Sequence, residues 1–168
     1  YAVHIAEQAH FHHKEVLLHL PMEAMDGQEP GPGALDTAMS RTLLTLTMAY
    51  DLASVPYVVG VNNHMGSLLS SRALPMRWVM QELRRRGDLF FVDSRTSAES
   101  VAARTATDYQ VPNLSRNVFL DDKPSVTAVE QQFALLLRLA RTRGHAVAIG
   151  HPHPATLAVL REWLPMLA

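Results

Sequence analysis

Glu15-Val16-Leu17-Leu18-His19-Leu20-Pro21-Met22-Glu23 is a short apolar run that reaches a histidine, with a glutamate four residues further on. It reads as a strand whose C-terminal end carries polar groups. The same arrangement recurs down the chain: an apolar strand, a polar residue at its end, a loop, then an amphipathic helix. The later strand ends are Val61-Asn62-Asn63-His64, Phe91-Val92-Asp93-Ser94-Arg95, Phe119-Leu120-Asp121-Asp122 and Ile149-Gly150-His151-Pro152-His153. In a parallel sheet all strand C-termini lie on one face, where α/β folds build their active sites. Histidine or aspartate stands at that step in strand after strand.

Working outward, the strands begin near Glu15, Tyr57, Leu89, Asn117 and Ala146. A helix is expected from Tyr1 to about Lys14. Asp26-Gly27-Gln28-Glu29-Pro30-Gly31-Pro32-Gly33 is a loop by its proline and glycine content, either a wall beside the site or a plain connector. Leu35, Met39, Leu43, Leu46 and Tyr50 recur at helical spacing, and that helix ends near Ser54. Met76, Val79 and Leu83 mark the next, closed by Gly87. Thr96-Ser97-Ala98-Glu99 reads as a capping box opening a helix to about Tyr109. Val111-Pro112-Asn113 reads as a turn. Ser125 caps a long helix with Val126, Val129, Phe133, Leu136 and Ala140 on one face, stopped by Gly144. A final helix from Pro154 turns Leu157, Leu160, Leu164 and Leu167 inward. This is a serial (β/α) chain, either an open sheet or an incomplete barrel whose first strands precede Tyr1.

At 168 residues the expectation is one domain, and 48% hydrophobic content is enough to fill its core. The net charge of -1 leaves no electrostatic footprint for nucleic acid, so no such partner is expected. Arg84-Arg85-Arg86 precede Gly87, where cations complement a helix C-terminus. The absence of cysteine excludes disulfides, thiolate metal sites and a cysteine nucleophile. No apolar stretch is long enough to span a bilayer. His4, His10, His12 and His13 look like a metal tract but read better as a solvated, histidine-rich helix face.

G-x-S-x-G, a phosphate loop and G-x-G-x-x-G are all missing. The strand ends instead carry histidine, carboxylate and asparagine, the inventory of a divalent metal site with an acid–base pair. His19 is either a ligand or a histidine bonded to backbone, and Glu23 either reaches the same centre or is a solvated loop residue. His64 lies among Asn63, Gly66 and Ser67, a ligand-approaching or self-capping loop. Asp93 with Arg95 is a base with its orienting partner or an exposed ion pair. Asp121 and Asp122 bind a ligand or cap a helix. His151 is held in a fixed turn by Gly150 and Pro152, and His153 follows it.

These motifs, taken together and in order, resemble the divergent polysaccharide deacetylase family, a branch of the NodB-like carbohydrate esterases. The resemblance covers essentially the whole chain. It implies an α/β fold, a distorted (β/α) barrel of the NodB-like deacetylase type, with residues 1–168 as a single domain whose first strand lies upstream. It implies a divalent metal such as zinc, an extracytoplasmic, periplasmic location, and a polysaccharide or glycan substrate from which acetyl groups are hydrolysed. On this reading His19, Glu23 and His64 hold the metal. His151 and Asp93 are catalytic, His151 as the acid and Asp93 as its orienting partner. Asn63, Arg95, Asp121 and His153 contact substrate. The family's first-strand aspartate pair has no counterpart here, and Glu23 stands where a histidine is usual. The rival reading is therefore a degenerate deacetylase fold that binds glycan or an envelope partner without turnover. A doubly wound phosphate-binding domain is disfavoured by the missing glycine-rich turn.

Overall fold

A computed structural model describes residues 2–167 of the chain. Tyr1, where the first helix was expected to begin, lies outside them. The chain divides into two compact units, Tyr1–Ser115 and Arg116–Ala168.

The first unit runs α1 (Ala2–Phe11), β1 (Val16–Met22), α2 (Arg41–Ser54), β2 (Val58–Met65), α3 (Ala73–Arg86), β3 (Phe90–Asp93), α4 (Ala102–Asp108) and β4 (Asn113–Ser115). Its strands form one sheet in the order β1-β2-β3-β4, every neighbouring pair parallel. Alternation along β1 buries Val16, Leu18, Leu20 and Met22 and leaves Leu17, His19 and Pro21 on the other face. The buried face joins Leu44 and Met48 of α2, Met76, Val79, Met80 and Leu83 of α3, and Phe91 of β3 in one core. The second unit contains β5 (Val118–Phe119), α5 (Val126–Arg143), β6 (Ala148–Ile149) and α6 (Pro154–Trp163). Its two strands are parallel, and Val118, Leu120, Val129, Phe133 and Val159 form its core. The α/β class expected from the sequence is the class observed.

Several local expectations are corrected. α2 starts at Arg41, behind an N-cap in which Ser40 Oγ accepts the Leu43 N–H at 3.2 Å. Leu35 precedes it and bridges to Met22. The apolar series from Leu35 to Tyr50 thus crosses a helix start. Its phase is lost there: Leu44, Met48 and Leu52 are buried, while Leu43, Leu46 and Tyr50 are exposed. Thr96-Ser97-Ala98-Glu99 does not open a helix. Ser97 Oγ accepts from Glu99 N, a local turn, and α4 begins only at Ala102. Asn113, read as part of a turn, begins β4. In α6 the buried residues are Thr156 and Val159, whereas Leu157, Leu164 and Leu167 are exposed. Val126 of α5 is likewise exposed. Other boundaries follow their punctuation: Gly87 at φ 97° closes α3, Ser125 Oγ caps α5, and Gly144 at φ 82° ends it.

Two of these packing details have measurable consequences. Gly66 sits at φ 85°, and a Cβ there would lie 2.9 Å from Met22 Cβ. Gly66→Ala is therefore expected to lower the unfolding free energy by about 2–4 kcal/mol, read from urea titrations. Glu82, nearly buried on α3, accepts from Arg85 Nε at 2.9 Å, Arg85 Nη2 at 2.7 Å and Arg86 Nε at 2.7 Å. The Arg85 hydrogen bonds, with help from Arg86, outweigh burial and hold its carboxyl below the usual range. A depressed folded-state pKa contributes stability above the ordinary carboxylate pKa, and that contribution is lost as pH falls through the folded value. Acidification from about pH 6 to about pH 3 is expected to remove more stability from the wild type than from Glu82→Gln.

Candidate functional site

In the first unit the register of β1 against β2 pairs His19 with Asn62 and Pro21 with His64. His19 and His64 are thus diagonal neighbours on one sheet face, within reach of long side chains. Their rings stand 4.7 Å apart at 57°, with His64 Nδ1 3.0 Å from His19 Nε2. Two nitrogen ligands on one zinc ion, with bonds of about 2.0–2.1 Å and tetrahedral angles, stand roughly 3.3 Å apart. The pair fits that donor set.

Glu23 is half-buried at the exit of β1. Its Oε2 accepts the Thr37 N–H and the Thr37 hydroxyl, each at 2.7 Å. Its own N–H donates to Leu35 O at 2.8 Å, and its carbonyl accepts from Leu68 N and Leu69 N at 3.1 Å. It ties the returning glycine-proline loop and the loop after β2 to the end of β1. The structure brings His19 and His64 together, but among the described residues no three-ligand group includes them with Glu23.

Asn63, expected to contact substrate, is only 1% exposed. Its Oδ1 accepts from Ser94 N at 2.8 Å, and its Nδ2 donates to Met65 O at 2.7 Å and toward Thr96 Oγ1 at 3.4 Å. Asp93 is also buried. Its Oδ1 accepts from Arg95 N at 2.8 Å; its Oδ2 accepts from Ser100 Oγ at 2.9 Å and Ala103 N at 3.4 Å. Both oxygens are thus committed to the strand-end turn and the first turn of α4. Arg95 itself adopts φ 47°. The helical tract of histidines lies elsewhere: His10 stacks on Tyr57 at 3.9 Å, and His4, His12 and His13 are exposed.

In the second unit Asp121 follows β5 and His151 follows β6, and the parallel pairing of these strands sets them side by side. Asp121 Oδ1 lies 3.1 Å from His151 Nδ1. Asp121 Oδ2 accepts from the His151 main-chain N–H and from the Thr156 hydroxyl, the latter at 2.8 Å. Burial alone would raise the Asp121 pKa. The His151 backbone and ring hydrogen bonds and the Thr156 hydroxyl outweigh it, holding the carboxyl below its usual range. The carboxylate that meets His151 Nδ1 is that of Asp121, which the sequence reading gave to substrate contact, with Asp93 as the orienting partner. Phe119 meets the His151 ring edge-on at 5.6 Å. Gly150 packs closely here: a Cβ would lie 3.2 Å from Leu120 Cδ1 and 3.4 Å from Asp121 Oδ2. His153 is the N-cap residue of α6, its ring 5.7 Å from that of His151. Asp121, His151 and His153 offer ligand atoms all within 4.8 Å of one another, a group that could hold a metal ion.

Thr37, Ser100, Thr156, Ser94 and Thr96 all touch site candidates, and none was visible as such in the sequence. They are ordinary hydroxyl residues, identified only by the partner each one meets.

Histidine or carboxylate thus stands at strand ends in each unit of this parallel α/β chain, a histidine pair in the first and an aspartate-held histidine in the second. The chain matches the divergent polysaccharide deacetylase family over residues 1–168 and belongs to it. It is 40% identical over 162 residues to "Uncharacterized protein YibQ" of Escherichia coli (strain K12), covering 96% of this chain and 50% of that protein. It is 36% identical over 151 residues to an "Uncharacterized protein" of Haemophilus influenzae (strain ATCC 51907 / DSM 11121 / KW20 / Rd), covering 90% of this chain and 54% of that one. The chain thus spans about half the length of these curated relatives. The crystal structure of uncharacterized protein ATU2773 from Agrobacterium tumefaciens C58 superposes with a TM-score of 0.91 at 23% identity, covering 96% of this chain and 66% of that chain. That likeness establishes the shared fold. Among the described residues, no helix is long and apolar enough to cross a membrane.

Proposed function

We propose that the chain, read as one deacetylase-type domain, serves in the metal-dependent removal of N- or O-acetyl groups from a bacterial envelope or extracellular polysaccharide, in the periplasm. The observation that carries this reading is the Asp121–His151 pair. An ionised, buried carboxylate against Nδ1 fixes the imidazole's orientation. The opposite ring nitrogen then carries the proton to the leaving amine or alcohol as the acyl bond breaks. His151 has 46% of its side chain exposed, so the ring is open to solvent. His19 and His64 are the residues that would hold the ion, zinc by the family resemblance. Lewis acidity toward the acetyl carbonyl oxygen is what such an ion supplies when bound. Family membership over the whole chain supports the substrate class.

A binding-only role is favoured by one observation: Glu23 Oε2, expected at the metal, is engaged by the Thr37 N–H and hydroxyl, each at 2.7 Å. Acetate release from acetylated chito-oligosaccharides and acetylated xylan, measured with and without zinc, separates the two. Zinc-dependent release supports hydrolysis. Saturable glycan binding with no release under saturating zinc supports the binding role and removes the catalytic one.

A further inference from the structure

We infer that Asn63 is a positioning residue: it fixes His64 against His19 by locking the ends of β2 and β3 to each other. The inference rests on the reading of His19 and His64 as a metal-holding pair, and it extends that reading to the residue that sets their geometry.

The argument begins with hydrogen-bond capacity. The Asn63 carboxamide oxygen takes the Ser94 N–H, and both amide hydrogens have acceptors in Met65 O and Thr96 Oγ1. Its main-chain carbonyl accepts from Ser94 Oγ at 2.8 Å. At 1% exposure, such a side chain has no donor left to offer a substrate. Every side-chain bond it makes crosses from the β2 end to the β3 end or closes the turn after His64.

The second part is backbone conformation. Met65, directly after His64, has φ 52°, and Arg95, directly after Ser94, has φ 47°. Left-handed backbone at a residue other than glycine is sparsely populated and persists where the surroundings over-determine it. At Met65 that surrounding is explicit. Its carbonyl accepts from Asn63 Nδ2 at 2.7 Å and from Thr96 Oγ1 at 2.8 Å. That carbonyl lies in the peptide plane between Met65 and Gly66, so its release removes the restraint on the left-handed Met65 backbone directly after His64. Asn62, beside it, donates from Nδ2 to Ser94 Oγ at 3.3 Å, so Ser94 is gripped from two consecutive β2 residues. Asn63 thus stands behind the histidine pair as an outer-shell residue stands behind a ligand, holding its orientation without touching the ion.

The test uses the wild-type chain, Asn63→Ala and Thr96→Val, with two readouts and circular dichroism as the folding control. Long-range proton–nitrogen spectra of the metal-free protein report the hydrogen bond between the two rings. Zinc titration by calorimetry reports affinity. A folded Asn63→Ala is expected to lose the ring–ring signature and to bind zinc at least about 10-fold more weakly, with Thr96→Val shifted less in the same direction. A folded Asn63→Ala with the ring–ring signature intact and unchanged zinc affinity overturns the inference. If Asn63→Ala does not fold, Thr96→Val decides alone: a weakened signature supports the inference and an unchanged one overturns it. If the wild type binds no zinc, the metal reading fails by itself, and the ring signature still decides the positioning role.

Discussion

Replacing His151 with alanine is expected to lower acetate release by about 10²- to 10⁴-fold, the usual worth of a positioned general acid, with the thermal unfolding transition little changed. The expectation that the fold survives is specific. Alanine keeps the residue 151 main-chain N–H, so Asp121 Oδ2 retains that donor as well as the Thr156 hydroxyl. The lost ring is more than two-fifths exposed and contributes little to the core. Asp121→Asn should behave differently. Its side chain is buried and serves three donors, so an amide in its place turns a donor toward donors. A stability loss of about 1–3 kcal/mol is expected together with the loss of rate. Parallel measurements of acetate release and urea unfolding on both variants distinguish the roles. A His151→Ala chain that releases acetate at the wild-type rate removes His151 from the chemistry.

The strands were legible because a short apolar run between polar punctuation has few other interpretations. β4 escaped because it is three residues long, follows Pro112 and carries no apolar run. The phase of α2 was misread because Leu35 and Met39 match a helical period from outside the helix; only the Ser40 cap shows where the period starts to count. The candidate site divides in the same way. That histidine and carboxylate gather at strand ends is a property of spacing along the chain and could be read directly. Which carboxylate meets which histidine depends on register. Asp93 and Asp121 are alike in sequence, each closing an apolar run. The first is consumed by Ser100 and the start of α4, and the second faces His151 across two parallel strands. Asn63 shows the same limit. A loop asparagine beside a histidine suggests a ligand contact, and its burial and its hydrogen bonds to Ser94 N and Met65 O are visible only in the fold.

The other large effect expected is on metal content. Zinc bound at one ion per chain should be lost in His19→Ala and in His64→Ala and retained in His153→Ala, as read by elemental analysis after dialysis. Either histidine alone leaves one imidazole, too few donors to hold a divalent ion at a site that ordinarily uses three protein ligands. Glu23→Gln refines the assignment. The amide oxygen still accepts from Thr37 N and Oγ1, so the loop anchor survives while the carboxylate charge is gone. Retained zinc in Glu23→Gln gives Glu23 the anchoring role alone; weakened zinc makes it a ligand as well. The opposite pattern, with ion lost in His153→Ala and kept in His19→Ala, places the metal on Asp121, His151 and His153. That outcome has a chemical consequence beyond relocation. Their ligand atoms are close enough to share an ion, and a His151 ring nitrogen bound to a metal has no proton to deliver. The loss of rate in His151→Ala would then report a missing ligand as well as a missing proton donor. Metal content and acetate release, measured on the same variants, therefore decide together what neither decides alone.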